Sequence, residues 1–371
     1  MKITYWGTYD SAYPRNLTVI AGLRENGAEV TECHEPLWSG TSDKLSRARS
    51  GWFAPGLLLR WLAAYLKLSF RFLFSEKPDI LFVGYSGHFD MFPAALLARL
   101  RGVPVAFDAF LSLYEAFVLD RPAIKPGSLK ARLLFVVDKY SCRLADLVLL
   151  DTDAHIEYFC SAFGLPRAKF LRSLVGTTRL PPPAPAPAPG TFTVLYSGRY
   201  IPLHGVEYIL RAVALLKDRE DILFRFDGAG EGLPAARALA EQLGLKRLEF
   251  VNSSTQAEIS AAIAAADVCL GIFGSTDKAA RVIPNKVFEA LALARPLITG
   301  RSPAAVELLT DGADCLLVPM ASPEGIAGAV ARLKDDPALR GRLGGTGREL
   351  FERRASSRVL GAEILEALRK I

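Results

Sequence analysis

Short apolar runs of strand length alternate along the chain with longer segments in which apolar positions recur every three or four residues. In the first half, the apolar runs cover residues 2–6, 29–33, 79–84, 104–107, 147–150 and 169–174. In the second half, they cover residues 192–197, 222–226, 248–251, 268–273, 296–299 and 315–318. Strands that alternate with helices favour parallel sheets, so the pattern predicts two α/β domains.

The segments between these runs have the period of amphipathic helices. The pattern predicts helices at residues 14–26, 57–74, 92–100, 129–144, 206–216, 259–266, 284–294 and 323–333. The polar cluster at residues 151–153 is an N-cap signal, which predicts a further helix from Ala154. Helical periodicity also extends over residues 338–368, and the glycines at 344–345 predict a break within it.

The clearest domain boundary is the segment PPPAPAPAPG at residues 181–190. Proline-rich sequence is extended, semi-rigid and poor in backbone donors, so it joins domains rather than building one. The pattern therefore predicts an N-terminal domain over residues 1–180 and a C-terminal domain over residues 191–350. Residues 351–371 are expected to form a C-terminal helix that packs back toward the N-terminal domain.

The composition is that of a folded protein with a modest positive charge. Of 371 residues, 50% are hydrophobic and 23% are charged, and the net charge is +6 with a pI near 9.0. This charge favours anionic ligands or anionic lipid surfaces without indicating a nucleic-acid binder. The five cysteines are scattered, with no Cys-x-x-Cys pair, and only four histidines are present, so no structural metal site is expected. Free thiols and a start without a signal peptide predict a cytoplasmic protein.

The predicted helix over residues 57–74 is apolar but carries a basic ridge. Arg60, Lys67 and Arg71 interrupt it, which disfavours a membrane-spanning helix. At 100° per residue the three cations lie within about 40° of one another, and aromatic residues at 52, 53 and 61 flank them. Two interpretations stay open and are compatible: a helix that lies in a membrane interface, and a core helix with a solvated basic edge.

A strand, a loop and a helix follow one another in residues 268–300, and polar residues are concentrated at the start of the helix. Pro284 opens the helix, Lys286 falls in its first turn, and Glu289 lies one turn further on. Helix N-termini present free N–H groups and partial positive charge, which suit phosphate. The lysine adds a full charge, and an ionised glutamate accepts hydrogen bonds from a ribose diol. This corner therefore fits a nucleotide diphosphate, although solvated surface charges produce the same pattern.

The segment PNKVFEALALARPLIT, residues 284–299, resembles the donor-site signature of family-4 glycosyltransferases, a retaining group with the GT-B fold. Glu289 corresponds to the second glutamate of that signature, and Asn285 and Lys286 match a Pro-x-Lys form of it. Arg281 occupies the position of the first glutamate, which in the family generally contacts the donor sugar.

The segment SGRYIPLHGVEYILRA, residues 197–212, is similar to the Gly-Arg-x-x-Pro-x-Lys-Gly segment of the same family. Arg199, next to Gly198, stands at the diphosphate-binding arginine, and His204 replaces the usual lysine. A histidine carries full charge at neutral pH only when its pKa is raised, so diphosphate binding is expected to be weaker or pH-sensitive. The resemblance also implies donor contacts at Gly228, Gly274 and Ser275. Glu307 matches a family glutamate near the helix after the next strand, and a helix-surface charge explains it equally well.

The first half carries only the strand rhythm of the family, as expected of a variable acceptor domain. Gly7 follows the first strand, where the family has a glycine-rich loop near the donor phosphate. Phe110 falls near the position of a family histidine beside the transferred sugar, which leaves His88 and Asp108 as catalytic candidates. The candidate acceptor contacts are Arg15, Ser112, Tyr114 and Asp120. Caps, turn residues and helix-start charges explain such residues as well.

Pattern and resemblance together predict an α/β protein of GT-B architecture, in which two Rossmann-like, doubly wound parallel-sheet domains face a central cleft. The resemblance implies transfer of a sugar, with retention, from a UDP- or GDP-sugar to a glycan or lipid-linked acceptor in cell-surface polysaccharide or glycolipid synthesis. Arg199, Lys286 and the helix N-terminus are expected to stabilise the departing diphosphate. No metal is expected, since no Asp-x-Asp motif of the metal-dependent type is evident. Such an enzyme is expected in the cytoplasm, peripheral on the inner face of the membrane.

Two alternatives remain open at this point. One is a GT-B sugar-nucleotide epimerase, which the GRYIPLHG and PNKVFEALA segments disfavour. The other is a non-catalytic nucleotide-sugar binder or partner subunit, because Arg281 and His204 depart from the family pattern.

Overall fold

The computed structural model describes residues 1–37, 55–121, 123–178, 190–253 and 255–371. These residues divide into two compact units, of which the first is Met1–Leu174 with Ser356–Ile371 and the second is Val175–Ala355. Trp52, Phe53, Pro122 and most of the proline-rich linker, residues 181–189, lie outside the described residues.

The first unit is built on a six-stranded parallel sheet. Its strands are β1 (Lys2–Gly7), β2 (Glu29–His34), β3 (Ile80–Val83), β4 (Val105–Phe110), β5 (Leu147–Leu150) and β6 (Phe170–Arg172). They lie in the order β2-β1-β3-β4-β5-β6, and every neighbouring pair is parallel. The strand order reverses between β1 and β3, and in open sheets of this kind ligands bind beyond the carboxyl ends of the strands at such a reversal.

Helices cover both faces of the first sheet. They are α1 (Pro14–Glu25), α2 (Pro55–Phe74), α3 (Met91–Arg101), α4 (Leu129–Leu144), α5 (Asp153–Phe163) and the C-terminal helix Ser357–Leu368, with a π-helical segment at Glu115–Asp120. One core joins Trp6 of β1 to α2, α3, α4 and α5. The other joins Tyr5 of β1 to α1 and the C-terminal helix. Adjacent residues of β1 thus enter opposite cores, as expected of a strand buried on both faces.

The second unit contains another six-stranded parallel sheet. Its strands are β7 (Phe192–Ser197), β8 (Ile222–Asp227), β9 (Leu248–Val251), β10 (Val268–Leu270), β11 (Leu297–Arg301) and β12 (Leu316–Pro319). Their order is β12-β11-β10-β7-β8-β9, again with parallel neighbours. The reversal here lies between β7 and β10. The predicted pair of doubly wound parallel sheets is confirmed.

The helices of the second unit are α6 (Val206–Leu215), α7 (Leu233–Gln242), α8 (Gln256–Ala265), α9 (Asn285–Ala292), α10 (Pro323–Asp335) and α11 (Pro337–Arg354). The sequence pattern did not predict α7. Its buried residues Ala236 and Ala240 are small, and its larger apolar residues Leu233 and Leu239 are only partly buried against the core.

The helix break predicted at residues 344–345 is wrong. Helix α11 runs through both glycines, and the chain breaks at Ala355, after which Ser356 caps the C-terminal helix by accepting a hydrogen bond from the Val359 amide. Gly344 has a packing role instead, since a Cβ placed on it would lie 2.5 Å from the carbonyl oxygen of Ala294. The glycine therefore lets α11 approach the chain that follows α9.

No helix in the described parts of the chain is long and apolar enough to cross a membrane. Helix α2, which spans 20 residues, falls short because its three cations interrupt the apolar sequence.

A buried charge cluster joins α5 to the π-helical segment. Thr152 caps α5, and His155 in its first turn lies 2.7 Å from an oxygen of Asp151 and 3.3 Å from an oxygen of Glu115. Burial by itself lowers the pKa of His155, but the two carboxylates outweigh it and raise that pKa to about 9. The histidine is therefore an imidazolium ion at neutral pH, held between two negative charges.

This cluster predicts a loss of stability on the alkaline side. Because the folded-state pKa of His155 is raised, its contribution is fully present below an unfolded pKa of about 6.5 and is lost as the pH rises through about 9. We expect the first unit to lose up to about 3 kcal/mol between about pH 6 and pH 9.5, and His155→Gln to lose much less. Urea unfolding followed by tryptophan fluorescence measures the difference at both pH values, because all four tryptophans lie at positions 6 to 61 and so report on the first unit, and His34→Gln is the control. Equal losses in wild type and His155→Gln would contradict this assignment.

Candidate functional site

The strand reversal of the second sheet brings together three segments that the sequence pattern placed in one site. They are the loop after β7, with Gly198 and Arg199, the loop after β10, with Gly274 and Ser275, and the start of α9. The first two loops are tied by backbone hydrogen bonds from the Phe273 amide to the His204 carbonyl and from the Gly274 amide to the Leu203 carbonyl. The predicted donor corner is therefore one continuous surface of the second unit.

Lys286 lies at the centre of this corner. Its ammonium nitrogen is 3.9 Å from the ring centroid of Tyr196 and 3.5 Å from His204 Nδ1. The Tyr196 hydroxyl lies 2.7 Å from the same Nδ1 and donates a hydrogen bond to the Arg199 carbonyl at 2.6 Å. The side chains of Lys286, His204 and Tyr196 thus form one connected group next to Gly198 and Arg199.

The buried position of Lys286 sets its protonation. Burial lowers the pKa of the Lys286 ammonium well below its ordinary value, and the charge of Glu289 offsets part of that effect. The contacting ring and imidazole supply no full negative charge. An anion that entered the corner would supply one, and would raise the lysine pKa again.

Gly198 keeps the space above Lys286 open. Its φ is +143°, and a Cβ built on it would lie 2.7 Å from Lys286 Nζ. Gly228, after β8, packs against it from the other side, since a Cβ there would lie 2.1 Å from the Gly198 carbonyl oxygen. A side chain at Gly198 would crowd the Lys286 ammonium, and one at Gly228 would displace the Gly198 backbone, so this arrangement of the two loops requires both glycines.

Glu289 lies half-buried on α9, one turn after Lys286. Its Oε1 accepts a hydrogen bond from Gln256 Nε2 at 3.1 Å, which orients the carboxylate. On the rim, the Tyr208 hydroxyl donates to Ser275 Oγ at 3.3 Å. Tyr196, Tyr208 and Gln256 were not predicted from the sequence. For Gln256 a signal existed, because Thr255 and Glu258 form a capping box that marks the start of α8 beside it.

The two residues that depart from the family pattern have different surroundings. His204 is buried within the lysine group. Arg281 is partly buried, and its guanidinium is 3.5 Å from the exposed Asp277 carboxylate. Glu307 ends a short 3-10 turn, Ala305–Glu307, rather than lying on a regular helix.

In the first unit, Arg15 and Asp108 were predicted as an acceptor contact and a catalytic residue. The structure instead pairs them inside the domain, with Arg15 Nε 2.8 Å from Asp108 Oδ2 and neither side chain exposed. Arg15 also donates to the carbonyls of Ser173 and Leu174, at 2.8 and 2.6 Å. The pair fastens α1 to the ends of β4 and β6, so these residues hold the fold instead of facing a ligand.

His88, Ser112 and Tyr114 converge on the buried carboxylate of Asp138. Ser112 Oγ donates to it at 2.6 Å and the Tyr114 amide at 2.9 Å, while His88 Nε2 lies 3.6 Å from it. Burial raises the pKa of Asp138 to about 7. His88 and Ser112 are completely buried, so the structure places them in an internal network that shapes the loop after β4, not at a catalytic or acceptor surface.

The remaining predicted residues of the first unit are Gly7 and Asp120. Gly7 ends β1 where a Cβ would lie 2.5 Å from the Asp90 carboxylate, which accepts a hydrogen bond from the Thr8 amide at 2.6 Å. Asp120 ends the π-helical segment with a buried side chain, 3.9 Å from Arg121 Nε.

What the first sheet does present at its strand reversal is a group of aromatic rings. Tyr85, after β3, has ring centroids 4.8 Å from Tyr13 and 4.9 Å from Phe110. All three are partly exposed, and Phe110 has φ of 59°, a strained backbone for a bulky residue. Single tyrosines in loops carry little sequence signal, so this group was found only in the structure.

Comparison with known proteins places the second unit in a family. Residues 191–336 match the family model described as glycosyl transferases group 1. The second unit therefore carries a glycosyl transferase group 1 domain.

The lipopolysaccharide core biosynthesis glycosyltransferase LpsD of Rhizobium meliloti is 30% identical over 170 residues, which are 46% of this chain and 47% of LpsD. The D-inositol 3-phosphate glycosyltransferase of Corynebacterium glutamicum is 31% identical over 162 residues, 42% of this chain and 38% of that protein. The chain thus spans about half or less of the curated relatives it matches.

Solved structures extend the likeness to the whole chain. The Anabaena protein Alr3699/HepE, in complex with UDP, has a TM-score of 0.71 at 14% identity and covers 100% of this chain and 99% of its own. The sucrose-phosphate synthase of Thermosynechococcus elongatus has a TM-score of 0.70 at 17% identity, covering 100% and 98%. The fold is therefore the two-domain α/β fold of GT-B glycosyltransferases, as predicted.

Proposed function

We propose that the chain is a retaining family-4 glycosyltransferase that moves a sugar from a nucleotide-sugar to a glycan or lipid-linked acceptor. The observation that carries this proposal is the buried Lys286, placed at the strand reversal of a glycosyl transferase group 1 domain beside the N-terminus of α9. A lysine kept out of water beneath an open glycine turn is suited to a phosphate that brings its own negative charge.

Each side chain of the corner then has a role toward the donor. Lys286 and Arg199 hold the diphosphate and stabilise the charge that develops on it as the sugar leaves, assisted by the free N–H groups of α9. Glu289, oriented by Gln256, accepts hydrogen bonds from the ribose hydroxyls. His204 contacts Lys286 and positions it. It replaces the positive charge of the family's usual lysine only when its imidazole is protonated.

The donor is proposed to be a UDP-sugar, with a GDP-sugar as the second choice. Support comes from the structural neighbour Alr3699/HepE, which has been solved with UDP and with UDP-glucose. The acceptor is proposed to belong to cell-surface polysaccharide or glycolipid synthesis, in line with the name of the relative LpsD. The aromatic group Tyr13, Tyr85 and Phe110 is the candidate acceptor surface of the first unit, because flat rings stack well on sugar faces. The proposed location is the cytoplasm, on the inner face of the membrane.

A thermal-shift panel of UDP-, GDP-, dTDP- and ADP-sugars tests the donor site. A ligand at about 100 times its Kd adds about 2.7 kcal/mol, which raises the melting temperature by several degrees. We expect one base to stabilise the wild type and Glu289→Ala to lose that shift. Glu241→Ala, an exposed glutamate on α7, is the matched control and keeps the shift.

Two results would count against this proposal. A flat panel at millimolar ligand would indicate that the site does not bind nucleotide-sugars by itself and would favour a partner subunit. A shift that Glu289→Ala retains in full would leave donor binding intact but remove Glu289 from the ribose.

A further inference from the structure

Helix α2 exposes a continuous apolar stripe on the side that faces away from the core. Leu59, Leu62, Leu66 and Phe70 are 67%, 56%, 63% and 64% exposed, and they recur at the spacing of one helix face. Leu68, between them in sequence, is completely buried in the core of the first unit. The helix is therefore apolar on two opposite sides, and within the described part of the chain the core covers the Leu68 side and leaves the other exposed.

The stripe continues on the two neighbouring helices. Helix α3 packs against α2, and α4 packs against α3, all on the same face of the first sheet. Leu96 and Leu100 of α3 are 60% and 69% exposed, and Leu129, Leu133 and Val136 of α4 are exposed as well. We call the exposed apolar side chains of these three helices the outer apolar surface. Exposed apolar residues grouped on three neighbouring helices differ from apolar residues scattered singly over a surface, which indicates a binding face.

The charges around the outer apolar surface are almost all positive. The three helices contain nine lysines and arginines and one acidic residue, Asp138, which is buried. Arg99 of α3 and Lys130, Arg132 and Arg143 of α4 are exposed. A chain with 45 basic and 39 acidic residues has no such imbalance overall, so these three helices carry a local excess of positive charge.

The basic ridge of α2 contributes less positive charge to the outer apolar surface than its sequence indicated. Arg71 lies 2.8 Å and Lys67 3.7 Å from the Glu35 carboxylate, and Arg60 donates to the Leu37 carbonyl at 3.4 Å. The ridge therefore faces the end of β2, about a third of a turn from the apolar stripe. The buried Leu68 side of the helix and the exposed Lys67 and Arg71 side chains agree with the interpretation of a core helix with a solvated basic edge, and the membrane-interface interpretation stays a prediction.

We propose that the outer apolar surface docks on an anionic lipid membrane, with the leucine and phenylalanine side chains inserted among the acyl chains and the surrounding cations on the headgroups. Apolar side chains ringed by lysine and arginine are the features that hold a helix in a membrane interface. A second copy of the chain fits less well, because a symmetric contact would set these cations against one another. The inference deepens the proposed function by indicating where a lipid-linked acceptor is met, but vesicle binding is measured without donor or acceptor.

The test is sedimentation with phosphatidylcholine vesicles that contain either no anionic lipid or about 30% phosphatidylglycerol. We expect the wild type to bind the anionic vesicles, and Leu66→Glu/Leu96→Glu to lower the partition coefficient at least about tenfold. Lys130→Glu/Arg132→Glu is expected to lower it as well and to weaken its dependence on salt. The matched control is Leu215→Glu/Val306→Glu in the second unit, whose side chains are 54% and 50% exposed and which should bind as the wild type does.

The outcomes separate this inference from the donor proposal. Circular dichroism melting confirms that each variant is folded, and the UDP-sugar thermal shift reports the donor site independently. A wild type that stays in the supernatant with anionic vesicles overturns the inference, as does equal binding by Leu66→Glu/Leu96→Glu. If that variant instead dissociates an oligomer and neither protein binds vesicles, the surface is an interface between copies and the membrane assignment is wrong.

Discussion

Replacing Lys286 with methionine is expected to lower kcat for sugar transfer about 10²- to 10³-fold. Methionine keeps the length and packing of the side chain against Tyr196 but removes the charge that stabilises the departing diphosphate. Because that charge matters most when the bond to the sugar breaks, kcat should fall more than donor affinity does. Steady-state kinetics with the UDP-sugar identified by thermal shift measures the two separately.

The same residue predicts that donor binding takes up a proton. The pKa of Lys286 is lowered by burial in the free protein, and a bound diphosphate raises it, so binding weakens as the pH rises through the range between the two values. Calorimetry in buffers of different ionisation enthalpy measures the uptake, which Lys286→Met should abolish. Lys246→Met, an exposed lysine, is the control. Unchanged kcat and unchanged proton uptake in Lys286→Met would remove the lysine from the donor site.

The strand and helix rhythm was predictable because both sheets are parallel and buried on two faces. Such strands read as unbroken apolar runs, and the predictions for residues 129–144, 147–150 and 192–197 match the structure residue for residue. That the residues proposed for the donor site lie together was predictable for a related reason. These residues lie at fixed offsets within single loop–helix segments, so their spacing in the sequence already indicates which of them are close in space.

The polar residues of the first unit were not predictable in the same way. Arg15 and Asp108 are 93 positions apart, and nothing in the spacing of either shows that they meet inside the domain. A charged residue after a strand looks the same in sequence whether it faces a ligand or a buried partner. The glycines of α11 show the same ambiguity, because a break and a close helix contact both call for glycine.

The second large effect is expected at the buried ion pair. Arg15→Met should destabilise the first unit by about 3–5 kcal/mol, because it leaves the Asp108 carboxylate buried and uncompensated and removes the donor to the Ser173 and Leu174 carbonyls. Burial already raises the pKa of Asp108 against the lowering effect of Arg15. The loss should therefore shrink at acid pH, where Asp108 takes up a proton and the buried charge disappears.

Hydrogen exchange of the β1 and β4 amides measures this loss within the first unit. This local measurement is needed because a chain of two units has no single free energy of unfolding. Arg24→Met is the control, since Arg24 of the same helix pairs with Glu32 at 2.9 Å on the surface and should cost at most about 1 kcal/mol. The double variant Arg15→Met/Asp108→Asn should recover part of the stability lost by Arg15→Met, because no buried charge remains. Equal effects of the Arg15 and Arg24 variants would mean that the pair does not hold α1 to the sheet, and would return Arg15 to the list of residues free to meet an acceptor.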